Sequence, residues 1–290
     1  MIHRADAHNR LKDHALYKEG LRKEGWRKEN VQLHLSSRLE SVDPSAGSIT
    51  LQDGTVHTGD LVVGADGVHS KTVRAIAGEE CKPERMGINM YRMTIPANKA
   101  RKEPAVNELL DRLNFPTTHN SVSEKAIDGK KSRGRVIVIY PCRGAELINL
   151  ATFQAATEEK VQLTSEWNNP GKLEDVLDLL EDWPQTWKLL LSKGEDVKHW
   201  AVVKRSVSPT FVKGKLVLIG DAAHPTQPTH GAGAGMAIED AAVLGTLLKT
   251  ATTNNLAERL ELYNRLRYER SVTVKYASEM VGVPHLSQFV

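Results

Sequence analysis

Apolar positions change their period along the chain, and each change marks a different kind of element. Residues 5–24 mix charges with Leu11, Ala15, Leu16 and Leu21, which predicts a mostly polar helix with a narrow apolar stripe. From Val31 the spacing becomes two: Val31, Leu33 and Leu35, then Leu39 and Val42, then Ile49 and Leu51. The breaks fall at Asp43-Pro44-Ser45-Ala46-Gly47 and Asp53-Gly54, so the stretch predicts three antiparallel strands in a meander. Leu61-Val62-Val63-Gly64 is continuously apolar and runs into Ala65-Asp66-Gly67, the pattern of a parallel strand buried on both faces. Ser70 is placed to cap a short following helix, and Gly78 to end it.

Beyond Cys81 the pattern shifts. Residues 98–133 are polar and lysine-rich, Arg135–Tyr140 and Glu146–Phe153 read as paired strands, and two helices are predicted near 172–181 and 185–191. Lys125, Lys130, Lys131, Arg133 and Arg135 read as a solvated hairpin tip. Lys215 to Asp221 then repeats the earlier sequence of apolar strand, glycine and aspartate, and leads through a proline-rich loop into a helix from about Gly233 to Thr250. A last amphipathic helix is expected over 256–279. These elements predict an α/β fold joined to antiparallel β structure, with residues 1–80 and 201–290 as one domain and 81–200 as a second, built on an antiparallel sheet.

Composition narrows the class. At 290 residues, 40% hydrophobic and 26% charged, the chain suits two globular domains and excludes a disordered tail, a collagen-like fibre or a coiled coil. Thirty-nine basic against 36 acidic residues leave a net charge of +3, and aromatics are only 5%, so a nucleic-acid partner is not expected. Cys81 and Cys142 lie far apart without zinc or redox spacing, which suits a reduced intracellular protein. With no apolar stretch of signal-peptide or membrane-spanning character, a soluble, cytoplasmic protein is expected.

The chemistry concentrates at the two strand ends. In an open parallel sheet, ligands bind outside the carboxyl ends of the strands, where Asp66 and Asp221 are placed to accept hydrogen bonds from ligand hydroxyls. The alternative for either is a simple turn cap. The run His230-Gly231-Ala232-Gly233-Ala234-Gly235-Met236 opens a helix whose unpaired amides suit an anion or the electron-rich edge of a reduced flavin, or else form a tight packing joint. Its spacing is not that of the G-x-G-x-x-G dinucleotide fingerprint.

Taken together, "GDLVVGADGVHSKTVR" and "GKLVLIGDAAHPTQPTHGAGAGMAIEDAA" resemble the two internal flavin motifs of the class A FAD-dependent aromatic monooxygenases, nearest the salicylate-hydroxylase-like branch common in fungal secondary metabolism. The similarity extends through "HRAD" at 3–6, "YRMTIP" at 91–96, "YPCRGAELINLATF" at 140–153 and the closing "LYNRLRYERS". The resemblance implies an incomplete FAD-binding domain of the glutathione-reductase-like type, joined to an antiparallel-sheet substrate domain. It implies an FAD-dependent hydroxylase of a small aromatic or polycyclic metabolite, with NAD(P)H as reductant. By matching position, Arg4 would contact the FAD diphosphate or ribityl region, Asp66 the ribityl and nicotinamide side, and Asp221 a ribityl hydroxyl. The amides of Gly233 and Ala234 would face the isoalloxazine, Arg92, after Tyr91, would lie near flavin and substrate, and Arg92 and Tyr91 would be the catalytic residues. His224 and Pro225 would shape the loop, and no metal is implied.

In the family a G-x-G-x-x-G unit precedes the His-Arg pair, whereas this sequence starts at Met1-Ile2-His3-Arg4. Without that unit, FAD would lose pyrophosphate and adenosine contacts worth about 1.5–3 kcal/mol each. Apolar sheet edges near Leu61 and Leu216 would also stand open, to be covered by a protein partner or by another closure of the fold, unless the sequence is an incomplete gene model. A flavin-free homologue performing a non-redox step and a non-catalytic partner subunit therefore remain alternatives.

Overall fold

The computed structural model describes residues 3–16, 31–123, 134–156, 169–228 and 231–280. The chain divides into two units, residues 36–86 with 202–290, and residues 1–35 with 87–201. The described residues 3–16 and 31–35 fall in the second of these units.

In the unit formed by 36–86 and 202–290, a meander of β1 (Leu39–Asp43), β2 (Ser48–Leu51) and β3 (Val56–Thr58) precedes β4 (Val62–Gly64) and the short α2 (Arg74–Ala77). The second and third expected strands are β1 and β2, whereas the first, at Val31–Leu35, is replaced in the meander by β3. Val31, Leu33 and Leu35 are 56%, 53% and 77% exposed and pair with no strand among the described residues. Alternation alone does not make a strand when neither face is covered.

The middle block supplies β5 (Glu84–Pro96), α3 (Ala97–Ala100), α4 (Pro104–Arg112), β6 (Asn120–Ser123), β7 (Val136–Cys142), β8 (Leu147–Ala155), α5 (Leu173–Leu179), α6 (Gln185–Leu191) and β9 (Glu195–Lys204). Its five-stranded sheet runs β6-β7-β8-β5-β9. One face carries Met93, Ile95, Ile137, Ile139, Ile148 and Leu150 against Val106, Leu109 and Leu110 of α4, Val176 of α5 and Trp187 and Leu190 of α6. At about 25 cal/mol per Å² of buried apolar surface, this face is the main source of the unit's stability. The helix α1 (Arg4–Ala15) buries none of its residues and leaves Leu11 63% exposed, so the predicted apolar stripe has no counterpart in the core. It is attached instead by Asp6, which accepts two hydrogen bonds of 2.7 Å from Arg143.

Of the basic tip, 124–133 lies outside the described residues. Arg135 departs from the expectation: its side chain is 2% exposed and paired with Asp182 at 2.7 Å, with a further bond to the Leu179 carbonyl.

The last segments are β10 (Val212–Lys213), β11 (Leu216–Leu218), α7 (Gly233–Leu248) and α8 (Leu256–Met280). Strand β11 pairs in parallel with β4, in the register Leu216–Val62, Val217–Val63 and Leu218–Gly64. The sheet order is β10-β11-β4, so β11 is central and Leu216, Val217 and Leu218 are fully buried. The expected open edge near Leu216 is therefore covered by β10. Strand β4 is the edge, and Val63 is 43% exposed where burial on both faces was expected. In α8 the buried positions are Leu260 and Tyr263, then Arg267, Ser271, Lys275 and Ser278. The helix is apolar inside only in its first half, because its second half packs against polar loop and helix groups. No helix among the described residues is long and apolar enough to cross a membrane. Both cysteines are buried free thiols.

Candidate active site

Asp66 and Asp221 leave the carboxyl ends of neighbouring parallel strands, because Gly64 and Leu218 are register partners. Gly64 is required there, since a Cβ would lie 2.8 Å from the Leu218 side chain. The Asp66 carboxylate is taken up by its own loop. Oδ1 accepts from Ser70 Oγ at 2.7 Å and Thr72 Oγ1 at 2.6 Å, and Oδ2 from the amides of Lys71 at 2.7 Å and Thr72 at 3.0 Å. Burial raises its pKa, but these bonds from Thr72, Ser70 and Lys71 outweigh burial and hold it below the usual carboxylate range. Ser70 also accepts from the Val73 amide at 2.9 Å, close to its expected capping role. In this geometry Asp66 shapes the loop that a ligand would meet.

Asp221 has the opposite character. It lies in a one-turn 3-10 segment, Gly220–Ala222, and is the exposed residue in a run, 220–225, whose other members are buried. A Cβ placed on Gly233 would lie 3.9 Å from Asp221 Oδ1 and 2.8 Å from Thr226 Oγ1. The carboxylate therefore stands at the mouth of α7, which has no side-chain cap and whose first residues, Gly233 and Ala234, keep amides without intrahelical acceptors. This is a cradle that a single methyl group would obstruct, with a carboxylate for a hydroxyl on one side and amides for a negative edge on the other. His230 lies outside the described residues.

The turn is held by residues the sequence did not single out for the site. Asp240, fully buried in α7, accepts from the Gly220 amide at 2.8 Å and from Arg267 Nε at 2.7 Å, and bonds His224 Nε2 at 2.6 Å. Burial raises the Asp240 pKa, but His224, Gly220 and Arg267 more than reverse this and keep it low. His224 is 1% exposed and ties the loop to α7, in keeping with a shaping role. An aspartate within the apolar run Met236–Leu248 was the available signal, since such a charge needs buried partners.

In the other unit, strand alternation separates Tyr91 from Arg92. Tyr91 is 1% exposed, stacks on His199 with ring centroids 3.7 Å apart, and points into the helix-covered face. Burial first, and then Asp175, push its pKa far up. Tyr91 and Arg92, both expected among the catalytic residues, thus lie on opposite faces, because consecutive strand residues alternate across a sheet. Arg92 lies on the other face of β5, an interior strand, where Nε donates to Asn149 Oδ1 at 2.9 Å. Asn149 opposes Tyr140 across β7 and β8, so the two share that face with Arg92. Burial raises the Tyr140 pKa, while Arg92 pulls it the other way. Arg4 is exposed at the start of α1.

The sequence profile of the FAD binding domain family matches residues 30–276. The chain belongs to this family, that of the FAD-dependent monooxygenases. It is 32% identical to a hispidin-3-hydroxylase of Neonothopanus nambi over 98% of this chain and 67% of that protein. It is 30% identical to the FAD-dependent monooxygenase cfoG of Aspergillus candidus over 98% of this chain and 62% of that one. Among solved structures, a salicylate hydroxylase in its substrate complex superposes with a TM-score of 0.73 at 22% identity, covering 98% of this chain and 66% of that chain. The fold is thus of the salicylate-hydroxylase type with antiparallel sheets, and the chain spans about two thirds of the length of these relatives. The exposed Asp221 carboxylate and the uncapped helix-start amides at Gly233 and Ala234 are an acceptor and donors of the kind that the family's cofactor, FAD, requires.

Proposed function

We propose that the protein is an FAD- and NAD(P)H-dependent monooxygenase that hydroxylates a small aromatic or polycyclic metabolite in secondary-metabolite biosynthesis. The observation that carries this reading is the exposed Asp221 set against Gly233 at the end of a central parallel strand. FAD, when bound, supplies electron transfer from NAD(P)H and the activation of dioxygen. The chain's own residues position it. Asp221 accepts a ribityl hydroxyl, the Gly233 and Ala234 amides stabilise negative charge on the ring, and Asp66 holds the neighbouring loop for the ribityl and nicotinamide side. Arg4 serves the diphosphate or ribityl region. The unit of residues 36–86 and 202–290 is then the cofactor domain, and the five-stranded sheet the substrate domain.

On that sheet, Arg92 is the substrate-facing cation. Its Nε is committed to Asn149, which leaves the Nη edge of the guanidinium to meet a phenolate or carboxylate. A hydroxylase of 3-hydroxybenzoate from Aquipseudomonas alcaligenes, 30% identical over 97% of this chain and 64% of that protein, is a relative named for such an aromatic acid. The open side of β4, where Val63 is exposed, is the place we assign to a pairing strand from a protein partner.

The test is to supply the purified protein with FAD, NADH or NADPH and a panel of phenols and aromatic acids. Stimulated NAD(P)H oxidation with a product that gains one oxygen is expected. Oxidation that no panel member stimulates, with no oxygenated product, would overturn the reading.

A further inference from the structure

Arg205 heads the largest fully buried side chains, at 1% exposure, in the irregular stretch after β9. Its Nη2 donates to the carbonyl oxygens of Asp221 at 2.8 Å and Ala222 at 2.6 Å, whereas Nε and Nη1 meet no carboxylate or carbonyl oxygen, the Cys81 thiol being the polar side chain beside them. Burial draws its pKa below the ordinary value, while Cys81, and then Asp66 and Asp221, act in the opposite sense. A buried cation without a bonded carboxylate is costly, and an apolar side chain of similar volume would avoid that cost. What the guanidinium provides and an apolar side chain lacks is two bonds to the backbone of the turn at 220–222.

The far side of that turn is held by a charge of opposite sign. The Gly220 amide donates to buried Asp240 at 2.8 Å, and the amides of Ala223 and His224 return to the Gly220 carbonyl at 2.9 Å each. The backbone around Asp221 is therefore fixed at both ends by buried ionic groups, while its side chain alone stays exposed.

From this geometry we infer that Arg205 is a positioning residue, which holds the 220–222 turn so that the Asp221 carboxylate faces the mouth of α7, and acts on the cofactor only through Asp221. The inference rests on the flavin site proposed above. It concerns a residue shut off from solvent.

A double-mutant cycle in FAD affinity, read by flavin fluorescence, tests it with Arg205→Met, Asp221→Asn and the double variant. Each single change should weaken FAD by about tenfold or more, the equivalent of one good hydrogen bond. The double variant should be no weaker than Asp221→Asn alone to within about twofold, because Arg205 has nothing left to position. Arg205→Lys, which keeps the charge and can reach one carbonyl, should recover part of the loss. Unaltered affinity in Arg205→Met, or losses that multiply in the double variant, would overturn the inference.

Hydrogen exchange gives a readout that needs no flavin. The amides of Gly220, Ala223 and His224 should exchange about tenfold faster in Arg205→Met, with β7 and β8 unchanged. Unchanged exchange at these amides would also overturn it. If Arg205→Met fails to fold, Arg205→Lys is read in the same cycle and must couple to Asp221 in the same way. If the unaltered protein binds no FAD, the flavin reading fails and exchange alone decides the role of Arg205.

Discussion

Arg92 is oriented by Asn149, with Nε donating to Oδ1 at 2.9 Å, on the face of the sheet opposite the Tyr91 ring. This relation separates two residues that adjoin in sequence. Replacing Asn149 with Leu removes the acceptor while leaving the charge, and a bond to a charged group is worth about 1.5–3 kcal/mol. The expected outcome is a KM for an anionic aromatic substrate raised by about tenfold or more, with a smaller change in kcat. Steady-state kinetics on Asn149→Leu and Arg92→Lys check this. An unchanged KM in both would remove Arg92 from the substrate site.

Tyr91→Phe should behave in the opposite way. The lost hydroxyl interacts with Asp175 in the core, so a stability loss of about 1 kcal/mol is expected, with KM and kcat close to those of the unaltered protein. Denaturant unfolding beside kinetics separates the two effects. A selective loss of turnover would return Tyr91 to the chemistry.

Gly233 and Gly235 offer a matched pair of alanine substitutions. A Cβ at Gly233 meets Thr226 Oγ1 at 2.8 Å and Asp221 Oδ1 at 3.9 Å, whereas a Cβ at Gly235 meets nothing within 4 Å. Gly233→Ala should weaken FAD by about tenfold, since the hydroxyl must move into the cradle. Gly235→Ala should retain affinity and add a few tenths of a kcal/mol of helix stability. Equal affinity in both variants would argue against contact at Gly233.

The Asp240 pairing predicts an acid limb in stability. A folded-state pKa held below the unfolded value contributes stability that is complete above about pH 4 and disappears as pH falls through the lower folded value. Asp240→Asn should flatten that limb. It should also cost about 1.5–3 kcal/mol at neutral pH, because Arg267 loses its buried carboxylate and keeps only Glu239 as an ionic partner. Urea midpoints measured between pH 3 and pH 7 read both effects. A mutant as stable as the parent at pH 7 would contradict the account.

Much of this architecture was legible where the pattern was long or strongly punctuated. The parallel pair β4 and β11, the helices α5, α6 and α7, and the strands β7 and β8 follow from apolar runs bounded by glycine, proline and aspartate. Helix α4 went unread inside a segment judged by its lysines, although Pro104 followed by Val106, Leu109 and Leu110 has the start signal and the spacing of a buried helical face. Val63 was misjudged because an apolar run cannot tell a central strand from an edge strand; that depends on which neighbours pair. Within the site, Asp221 and the Gly233 mouth were legible as strand-end and helix-start chemistry. Arg205, Asp240 and Asn149 were not, because each acts through contacts 16 to 57 residues away in sequence.

The central claim is that Asp221 holds the ribityl chain of FAD and the start of α7 its ring. The direct measurement is a titration of the purified protein with FAD, followed by visible absorbance and flavin fluorescence, beside Asp221→Ala. The account predicts a saturable shift of the flavin bands with quenched fluorescence, and about a hundredfold weaker binding in Asp221→Ala. Flavin bands that stay those of free FAD at every concentration, or an Asp221→Ala protein that titrates like its parent, would contradict it.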